Sequence, residues 1–562
     1  MYLDFLVKIP DAAGKITRRA KGDSIYINYE YGREYDPERR FNIPKRVTIG
    51  KQSKADASMM QPNQNFLLYF PGMELPDEKF SSKRCSLIRI GTQVVIEKIV
   101  REYGLRTILS DFFDRDIGLL LDLASYSIVT EDNAGQYYPD YAYNHSLFTE
   151  SMKVYSDSKV SDFLHGITPD QSMGFLNEWN AVKDHKEKIY ISYDSTNKNC
   201  QAGDIELAEF GHPKADIGAP VINYSIACDT DNKLPLFYEE YPGSMVDISQ
   251  LQFMIGKAKS YGYKSIGFIL DRGYFCKENI SFLDEAGYDF VIMVKGMAAF
   301  VNGLILKHRG MFEDKRANSI RSYNVYGMTV KQKLYVTDEK DRYFHIYHNP
   351  YKEASERDDV EDKIERIRRF LEKRIGKPYE AGKVVEQYFS LHYSKDGALV
   401  GFKEKEEVIE RELRSCGYFA VVTSKKMTAK EAIELYKSRD ASEKLFRGDK
   451  SYLGNKSFRT YSSESISGKI FVEFIALIIR SRIYTCIKAE ADRMDSRPNY
   501  MNVPAAIKEL EKIGMVRGYD NIYRLDHAVT ATQKTILSAF GISEEYVKQE
   551  AERISMKLKE AM

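Results

Sequence analysis

The chain has 562 residues, enough for three or four domains of ordinary size and for a core that needs no disulfide or structural metal. Hydrophobic residues make up 43% and charged residues 29%, which is typical of a folded globular protein and excludes a disordered chain. The 83 Lys and Arg against 82 Asp and Glu leave a net charge of +1. This balance excludes a uniformly basic nucleic-acid coat protein, although it allows local basic patches.

The six cysteines are scattered without a C-x-x-C pair, which argues against a zinc ribbon or a disulfide framework and indicates a reducing compartment. The N-terminus lacks the basic and apolar regions of a signal peptide. The most apolar stretch, residues 470–479, is about half of the length that spans a bilayer and contains Glu473. We therefore expect a cytoplasmic protein without a membrane role.

Residues 1–165 are predicted to form an N-terminal α+β region. The first 55 residues are strand-like and carry 12 Lys and Arg against 7 Asp and Glu, a net charge of +5. Residues 56–80 are rich in Pro, Asn and Gln, which predicts a loop, and residues 91–183 show helical periodicity.

Residues 166–296 are predicted to form a mixed α/β sheet, because antiparallel strands come first and a βαβ-like half follows. The alternating segment KIYISYD predicts a first strand that ends at Asp194, and a buried apolar run predicts a later strand that ends at Asp271. The predicted order is strand, strand, strand, helix, strand, helix, strand, with the strands over residues 188–194, 218–229, 233–241, 265–271 and 289–296.

Residues 297–415 interrupt this pattern as an insertion that contains short alternating strands and one highly charged helix. A solvated helix with one apolar stripe explains that helix better than a specific binding role does. The stripe consists of Val360, Ile364, Ile367 and Leu371.

Strand character resumes in residues 416–455, where a helix follows with Thr428 and Glu431 as its predicted capping box. Residues 456–562 are predicted to form a C-terminal helical region, and those from residue 467 onward are predicted to be entirely helical.

Asp194 and Asp271 each end a predicted strand of one sheet, so neighbouring strands would bring their carboxylates to one edge. Two carboxylates at close range repel each other unless a positive charge lies between them, and Mg²⁺ prefers such oxygen ligands. When the two residues are taken alone, turns or caps at the strand ends explain them better than catalysis does.

A second group of residues lies on the predicted helix of residues 428–450. Tyr436, Arg439, Glu443 and Lys450 fall within an arc of about 60° on a straight helix. The surrounding residues 425–460 carry 10 Lys and Arg against 5 Asp and Glu, a net charge of +5. A cationic surface around one acid suits a metal ligand beside a phosphate backbone, whereas the simpler reading is an exposed helix with i,i+4 pairs.

These residues resemble the catalytic signature of DDE transposases from bacterial insertion sequences. The resemblance lies in ISYDSTN (191–197), in FILDRGYF (268–275) and in the spacing Tyr-x2-Arg-x3-Glu-x6-Lys of the second group. It covers roughly residues 188–486 and implies an RNase H-like core that is interrupted by a strand-rich insertion.

The resemblance implies that Asp194, Asp271 and Glu443 are both the catalytic residues and the ligands of two Mg²⁺ ions, for which Mn²⁺ can substitute. It also implies that Tyr436, Arg439 and Lys450 contact DNA. Arg272 is a further candidate for DNA contact that could equally pair with a surface acid, and His212 and Lys214 either approach the DNA or have a structural role. The expected activity is cleavage at the ends of the element, followed by strand transfer into target DNA.

The expected partners are therefore terminal inverted repeats and target DNA, bound by a homodimer in the synaptic complex of a bacterial, nucleoid-associated protein. By analogy and local charge, residues 1–165 are assigned to recognition of the DNA ends, and residues 456–562 form a C-terminal helical region. Two alternatives stay open: a metal-dependent nuclease or resolvase without strand transfer, and a domesticated DNA-binding protein.

Overall fold

The computed structural model consists of two compact units, one formed by residues 1–166 with 482–562 and the other by residues 167–481. It describes the whole chain except residues 1, 4, 39, 76–83, 184–187, 201–204, 212–218, 246, 295–297, 336–337, 339, 441–456, 459, 461, 495–497, 519–520 and 562.

The first unit begins with a five-stranded antiparallel sheet, as the strand-like first 55 residues predict. Its strands, in spatial order β1-β5-β4-β3-β2, pack on a small core that includes Ile27, Ile49 and Phe66. They are β1 (Val7–Lys8), β2 (Ile16–Lys21), β3 (Ser24–Asp36), β4 (Phe41–Gln52) and β5 (Met59–Pro62).

The predicted loop over residues 56–80 is wrong in part, because it contains β5 and the helix Gln64–Tyr69. Met60 of β5 is fully buried between β1 and β4, and the Asn63 side chain accepts a hydrogen bond from the Phe66 amide at the start of the helix. The Asn and Gln residues that predicted a loop therefore cap and begin a helix.

Helices fill most of the region from residue 91 onward, as the periodicity predicts. A short strand β6 (Leu87–Arg89) precedes them. The helices are Gly91–Glu102, Leu105–Phe113, Ile117–Thr130, Tyr138–Asn144, Asp157–Gly166 and Pro169–Ala181, with 3-10 turns at Asp114–Asp116, Gly135–Tyr137 and Glu150–Met152.

The second unit has the predicted order of strands and helices, and its fold is a mixed α/β sheet. Strands β7, β8 and β9 are antiparallel neighbours, and β10 and β11 run parallel to β7 in the spatial order β9-β8-β7-β10-β11. The elements are β7 (Ile189–Cys200), β8 (Val221–Asp229), β9 (Leu234–Pro242), helix Asp247–Ser260, β10 (Ile266–Leu270), a 3-10 turn Arg272–Tyr274, helix Lys277–Glu285 and β11 (Asp289–Met293).

The insertion contributes to the same sheet and also forms a small core of its own. Strands β12 (Ser319–Ile320), β13 (Val325–Gln332) and β14 (Arg342–His348) continue the sheet beyond β11 through the later strand β17 (Tyr418–Thr423). The remaining elements are helices Ala298–His308, Pro350–Glu372, Lys383–Tyr388 and Glu406–Ser415, 3-10 turns Arg316–Asn318 and Arg321–Tyr323, and the hairpin of β15 (Phe389–Tyr393) and β16 (Leu399–Glu404).

The apolar stripe of the charged helix packs into this small core. Val360, Ile364 and Leu371 are buried there together with Tyr388 and Leu399. The stripe therefore has the structural role that the simpler reading gives it.

Two helices pack on the large sheet. The first, Ala429–Lys437, begins with the predicted capping box of Thr428 and Glu431. The second, Ser463–Arg493, follows a short strand β18 (Ser457–Phe458) that pairs with the end of β7. Its Phe474 ring lies 5.0 Å from the ring of Tyr238 on β9, so this helix contacts the antiparallel half of the sheet.

A buried ion pair joins that helix to β7. The Nζ atom of Lys198 lies 2.9 Å from an Oε atom of Glu473, and both side chains are at most 1% exposed. The Lys198 ammonium also lies 4.5 Å from the centre of the Tyr224 ring on β8. Because neither charge reaches water, each depends on its partners for stabilisation.

The C-terminal segment completes the first unit with helices Val503–Leu510, Ala531–Ser538 and Glu544–Ala561. The prediction of an entirely helical segment is wrong at β19 (Gly514–Arg517) and β20 (Tyr523–Leu525). Strand β19 pairs with β6 from the N-terminal region on one side and with β20 on the other, and Met515 of β19 is fully buried. The pairing of β19 with β6 joins segments that are more than 400 residues apart in the sequence, so no local pattern predicts it. No helix among the described residues has the length and apolar character to cross a membrane.

We predict that Lys198→Met destabilises the second unit by about 3–5 kcal/mol, because it leaves the buried Glu473 carboxylate without this counter-ion. The double variant Lys198→Met/Glu473→Leu should recover most of the loss, because it removes both charges. Thermal unfolding followed by circular dichroism measures the midpoint of each variant. A single variant as stable as the wild type would contradict a structural role for the pair.

Candidate active site

Asp194 and Asp271 occupy equivalent positions on two neighbouring parallel strands. Tyr193 of β7 is the register partner of Leu270 on β10, and each aspartate is the next residue along its strand direction. Neighbouring strands lie about 4.8 Å apart, so the backbones that carry the two carboxylates are adjacent. The structure thus brings these two predicted site residues together.

Asp194 differs from its prediction in one respect, since β7 does not end there. The strand continues to Cys200 because residues 191–199 pair with β8, and only the pairing with β10 stops at Tyr193. Asp194 is half-buried, and its Oδ1 atom accepts a hydrogen bond from the Ser195 amide at 2.9 Å. It therefore lies inside one strand at the point where the neighbouring strand has ended.

Asp271 caps the 3-10 turn that follows β10. Its Oδ1 atom accepts a hydrogen bond from the Arg272 amide at 2.7 Å and lies 3.2 Å from Nη1 of Arg439. The Asp271 side chain is 35% exposed, whereas that of Arg439 is only 13% exposed. Arg439 therefore reaches the acid from the protein side and leaves part of the carboxylate open to solvent.

The aromatic residues of the two aspartate motifs pack against each other. Tyr193, directly before Asp194, and Tyr274, in the turn after Asp271, are both buried, with ring centres 5.5 Å apart. The Tyr193 hydroxyl also donates a hydrogen bond to the Ser225 hydroxyl of β8 at 2.8 Å. These contacts fix the two strand segments that carry the acids, and the sequence analysis did not assign them a role.

Tyr436 lies in the core and not on a surface. It is 4% exposed and belongs to a buried cluster with Ile269 of β10 and Tyr347 of β14. The Arg439 guanidinium carbon lies 5.6 Å from the centre of the Tyr436 ring, within the range of a cation–π contact. Tyr436 thus anchors its helix against the strand that leads to Asp271 and supports the arginine that pairs with this acid.

The helix that contains Tyr436 is not the single straight helix that the predicted 60° arc of side chains requires. It ends at Lys437, and residues 438 and 439 form a turn before residue 440 is helical again. The Arg439 amide bonds to the Tyr436 carbonyl, a three-residue spacing that tightens the last turn. Glu443, Lys450, His212 and Lys214 lie outside the described residues, whereas Arg272 is an exposed residue of the turn after Asp271.

The donor chemistry of this edge suits a hard divalent cation, since Asp194 and Asp271 both offer carboxylate oxygens. Among the residues that the structure describes, no group of three or more His, Cys, Asp or Glu is placed to hold a metal ion. The third predicted ligand, Glu443, is not one of these described residues.

A different carboxylate begins β11, in a contrasting environment. Asp289 contacts the ammonium groups of both Lys188 and Lys425 and accepts a hydrogen bond from the Ser424 hydroxyl. Burial alone would raise its pKa, but the two lysines lower it below the usual value. Asp289 is therefore held as a structural anion, and its own salt bridges satisfy its charge.

The family comparison agrees with these observations. A family model described as a transposase DDE domain matches residues 191–479, just over half of the chain, and confirms the resemblance seen in the sequence. No curated protein matches the chain significantly.

One solved structure similar to this chain is the cryo-EM structure of the piggyBac transposase synaptic complex with hairpin DNA. The two sequences are 8% identical, and the match covers 82% of this chain and 76% of the piggyBac transposase chain. The TM-score of 0.32 is too low to bear on the fold. The family match alone carries the assignment. The chain belongs to the family of transposases with a DDE domain.

Proposed function

We propose that this transposase cuts DNA at the ends of a bacterial insertion sequence and joins the freed 3′ ends to target DNA. The observation that carries the proposal is the register of β7 and β10, which makes Asp194 and Asp271 neighbours at one edge of the sheet. The order of three antiparallel strands followed by two parallel ones supports an RNase H-like core.

In this proposal Asp194, Asp271 and Glu443 hold two Mg²⁺ ions. Bound there, the ions would activate a water or a 3′-hydroxyl and stabilise the leaving oxygen of an in-line displacement at a phosphodiester. The protein contributes fixed positions for the carboxylates. The Ser195 and Arg272 amides donate hydrogen bonds to Asp194 and Asp271, and these bonds fix the directions of the two carboxylates.

Arg439 and Lys450, with Arg272 as a further cation, would bind the DNA phosphates beside the acids. Residues 425–460 have a net charge of +5, which suits the phosphate backbone. Tyr436 would act through Arg439, because its ring is buried and lies beneath the guanidinium. Two copies of the chain would join two DNA ends in the synaptic complex, and the substrate would place the protein at the bacterial nucleoid.

Asp194→Asn, Asp271→Asn and Glu443→Gln should each lower Mg²⁺-dependent cleavage by at least about 100-fold, because each removes a charged metal ligand of nearly unchanged shape. Cleavage is measured on duplex DNA from the flanks of the coding region, with products resolved by size. Joining of a pre-cut end to plasmid DNA is scored in parallel and separates a transposase from a simple nuclease.

The control is Asp396→Asn, which removes an exposed acid of the insertion and should leave both reactions unchanged. Retained cleavage in any of the three site variants would remove that residue from the proposed site. Cleavage without joining in the wild type would reduce the proposal to a nuclease.

Arg439→Gln should raise the affinity of the DNA-free protein for Mn²⁺ by up to about fivefold, because the guanidinium competes with a metal ion for the Asp271 carboxylate. Isothermal titration calorimetry with Mn²⁺ alone gives the dissociation constants. Lys437→Gln removes the same charge from an exposed position two residues earlier, at the end of the preceding helix, and should change the dissociation constants less than Arg439→Gln does. Unchanged or weaker Mn²⁺ binding by Arg439→Gln would contradict this competition.

A further inference from the structure

The hairpin of β3 and β4 extends beyond the rest of the N-terminal sheet. Strand β2 pairs with β3 only as far as Tyr29, and β5 pairs with β4 only from Gly50 onward. From the pair Gly32–Lys45 to the pair Asp36–Phe41, β3 and β4 are hydrogen-bonded only to each other among the described strands. At about 3.4 Å per residue, this two-stranded ribbon, residues 32–45, projects about 14 Å before its turn.

The two faces of the ribbon differ in chemistry. Residues directly opposite each other in an antiparallel pair share a face. The rungs Arg33–Pro44 and Tyr35–Asn42 therefore define one face, which we call the arginine face, and Arg46 extends it toward the sheet. The rungs Glu34–Ile43 and Asp36–Phe41 define the opposite face, which we call the acidic face.

The ion pairs agree with this division. On the arginine face, Arg33 and Arg46 both contact the buried Glu30 carboxylate, at 2.7 and 3.4 Å, yet the two arginine side chains stay 62% and 47% exposed. Hydrogen bonding to Arg33 lowers the pKa of Glu30. Glu30 thus fixes the directions of two guanidiniums without removing them from solvent.

The remaining side chains of the arginine face are also accessible. Tyr35 is 58% exposed and Asn42 is exposed, and among the described paired residues of this face Glu30 is the only acid. Arginine and asparagine are the side chains that most often bond guanine and adenine edges in a groove, and exposed arginines also bind phosphates.

A two-stranded ribbon fits the major groove of duplex DNA in width. On the acidic face, by contrast, Glu34 and Asp36 outnumber Lys45, and Glu34 is itself paired with Lys45 at 2.6 Å. Phosphates would repel this face. The charge difference between the two faces therefore sets which one turns toward DNA.

We propose that residues 32–45 are a DNA-docking ribbon that enters the major groove of the terminal DNA with its arginine face. The inference rests on the proposed function, since it takes terminal DNA as the partner. It adds to that function the element that reads the DNA and the side chains that make the contacts.

The test compares variants of the full-length chain in EDTA, so that no cleavage occurs. The probes are a fluorescein-labelled 30-bp duplex from the flank of the coding region and a shuffled duplex of the same composition. Tyr35→Ala/Asn42→Ala should weaken binding to the flank duplex about tenfold, and binding to the shuffled duplex less. Arg33→Gln should lower the slope of log affinity against log salt by about one, while Arg46 remains to pair with Glu30.

The matched control is Phe41→Ala/Ile43→Ala, which truncates two exposed residues of the acidic face in the same strand and should stay within twofold of the wild type. An equal loss in this control, or no loss in the arginine-face variants while the wild type binds, would overturn the ribbon proposal and leave the proposed function intact. If an arginine-face variant changes the molar mass of the protein in light scattering without weakening DNA binding, the face contacts a second copy of this chain. That result would also overturn the ribbon proposal. If the wild type binds neither duplex, the choice of partner is wrong and the proposed function falls with it.

Discussion

The site depends on one constraint, the parallel register of β7 and β10. Since Tyr193 pairs with Leu270, the aspartates that follow are placed side by side before any ligand is present. Like charges this close repel each other unless positive or hydrogen-bonding groups lie beside them. Here Arg439 contacts Asp271, and backbone amides donate to both carboxylates. The sheet thus fixes the backbone positions of the two acids, and the local donors hold their carboxylate groups.

The arrangement is held from both sides of the sheet by contacts away from the acids. Tyr193 and Tyr274 pack against each other next to the two acids, and Tyr436 anchors the helix that leads to Arg439. Four residues beyond Asp194 on the same strand, Lys198 bonds to Glu473 of the helix that packs on β7 to β9. Close packing of this kind resists small displacements, so it keeps the carboxylates at the spacing that the backbone sets.

Much of the second unit could be predicted from its local patterns. The apolar run before Asp271 and the alternation before Asp194 predicted two strands and the neighbouring positions of the two acids. The capping box at Thr428 predicted the start of the later helix. The turn at residues 438–439 could not be predicted, because Tyr436, Arg439, Glu443 and Lys450 also fit one continuous helix. The buried location of Tyr436 depends on Ile269 and Tyr347, which are far away in the sequence.

The first unit shows the same limit more strongly. Composition indicated a basic, strand-rich start. Strand β5 and the pairing of β6 with β19 depend instead on contacts that leave no local hydrophobic periodicity in the sequence. In the second unit, the Lys198–Glu473 pair has one sign in the sequence, a single acid within the apolar segment IFVEFIALII, but the partner of that acid is 275 residues away. Where local propensity does not determine the secondary structure, long-range tertiary contacts of this kind do.

The most direct measurement of the central claim is the anomalous scattering of manganese in crystals of the full chain bound to terminal DNA. The account predicts manganese peaks within coordination distance of the carboxylates of Asp194 and Asp271. Manganese bound elsewhere, with both carboxylates away from it, would contradict the claim that the register of β7 and β10 builds a metal site.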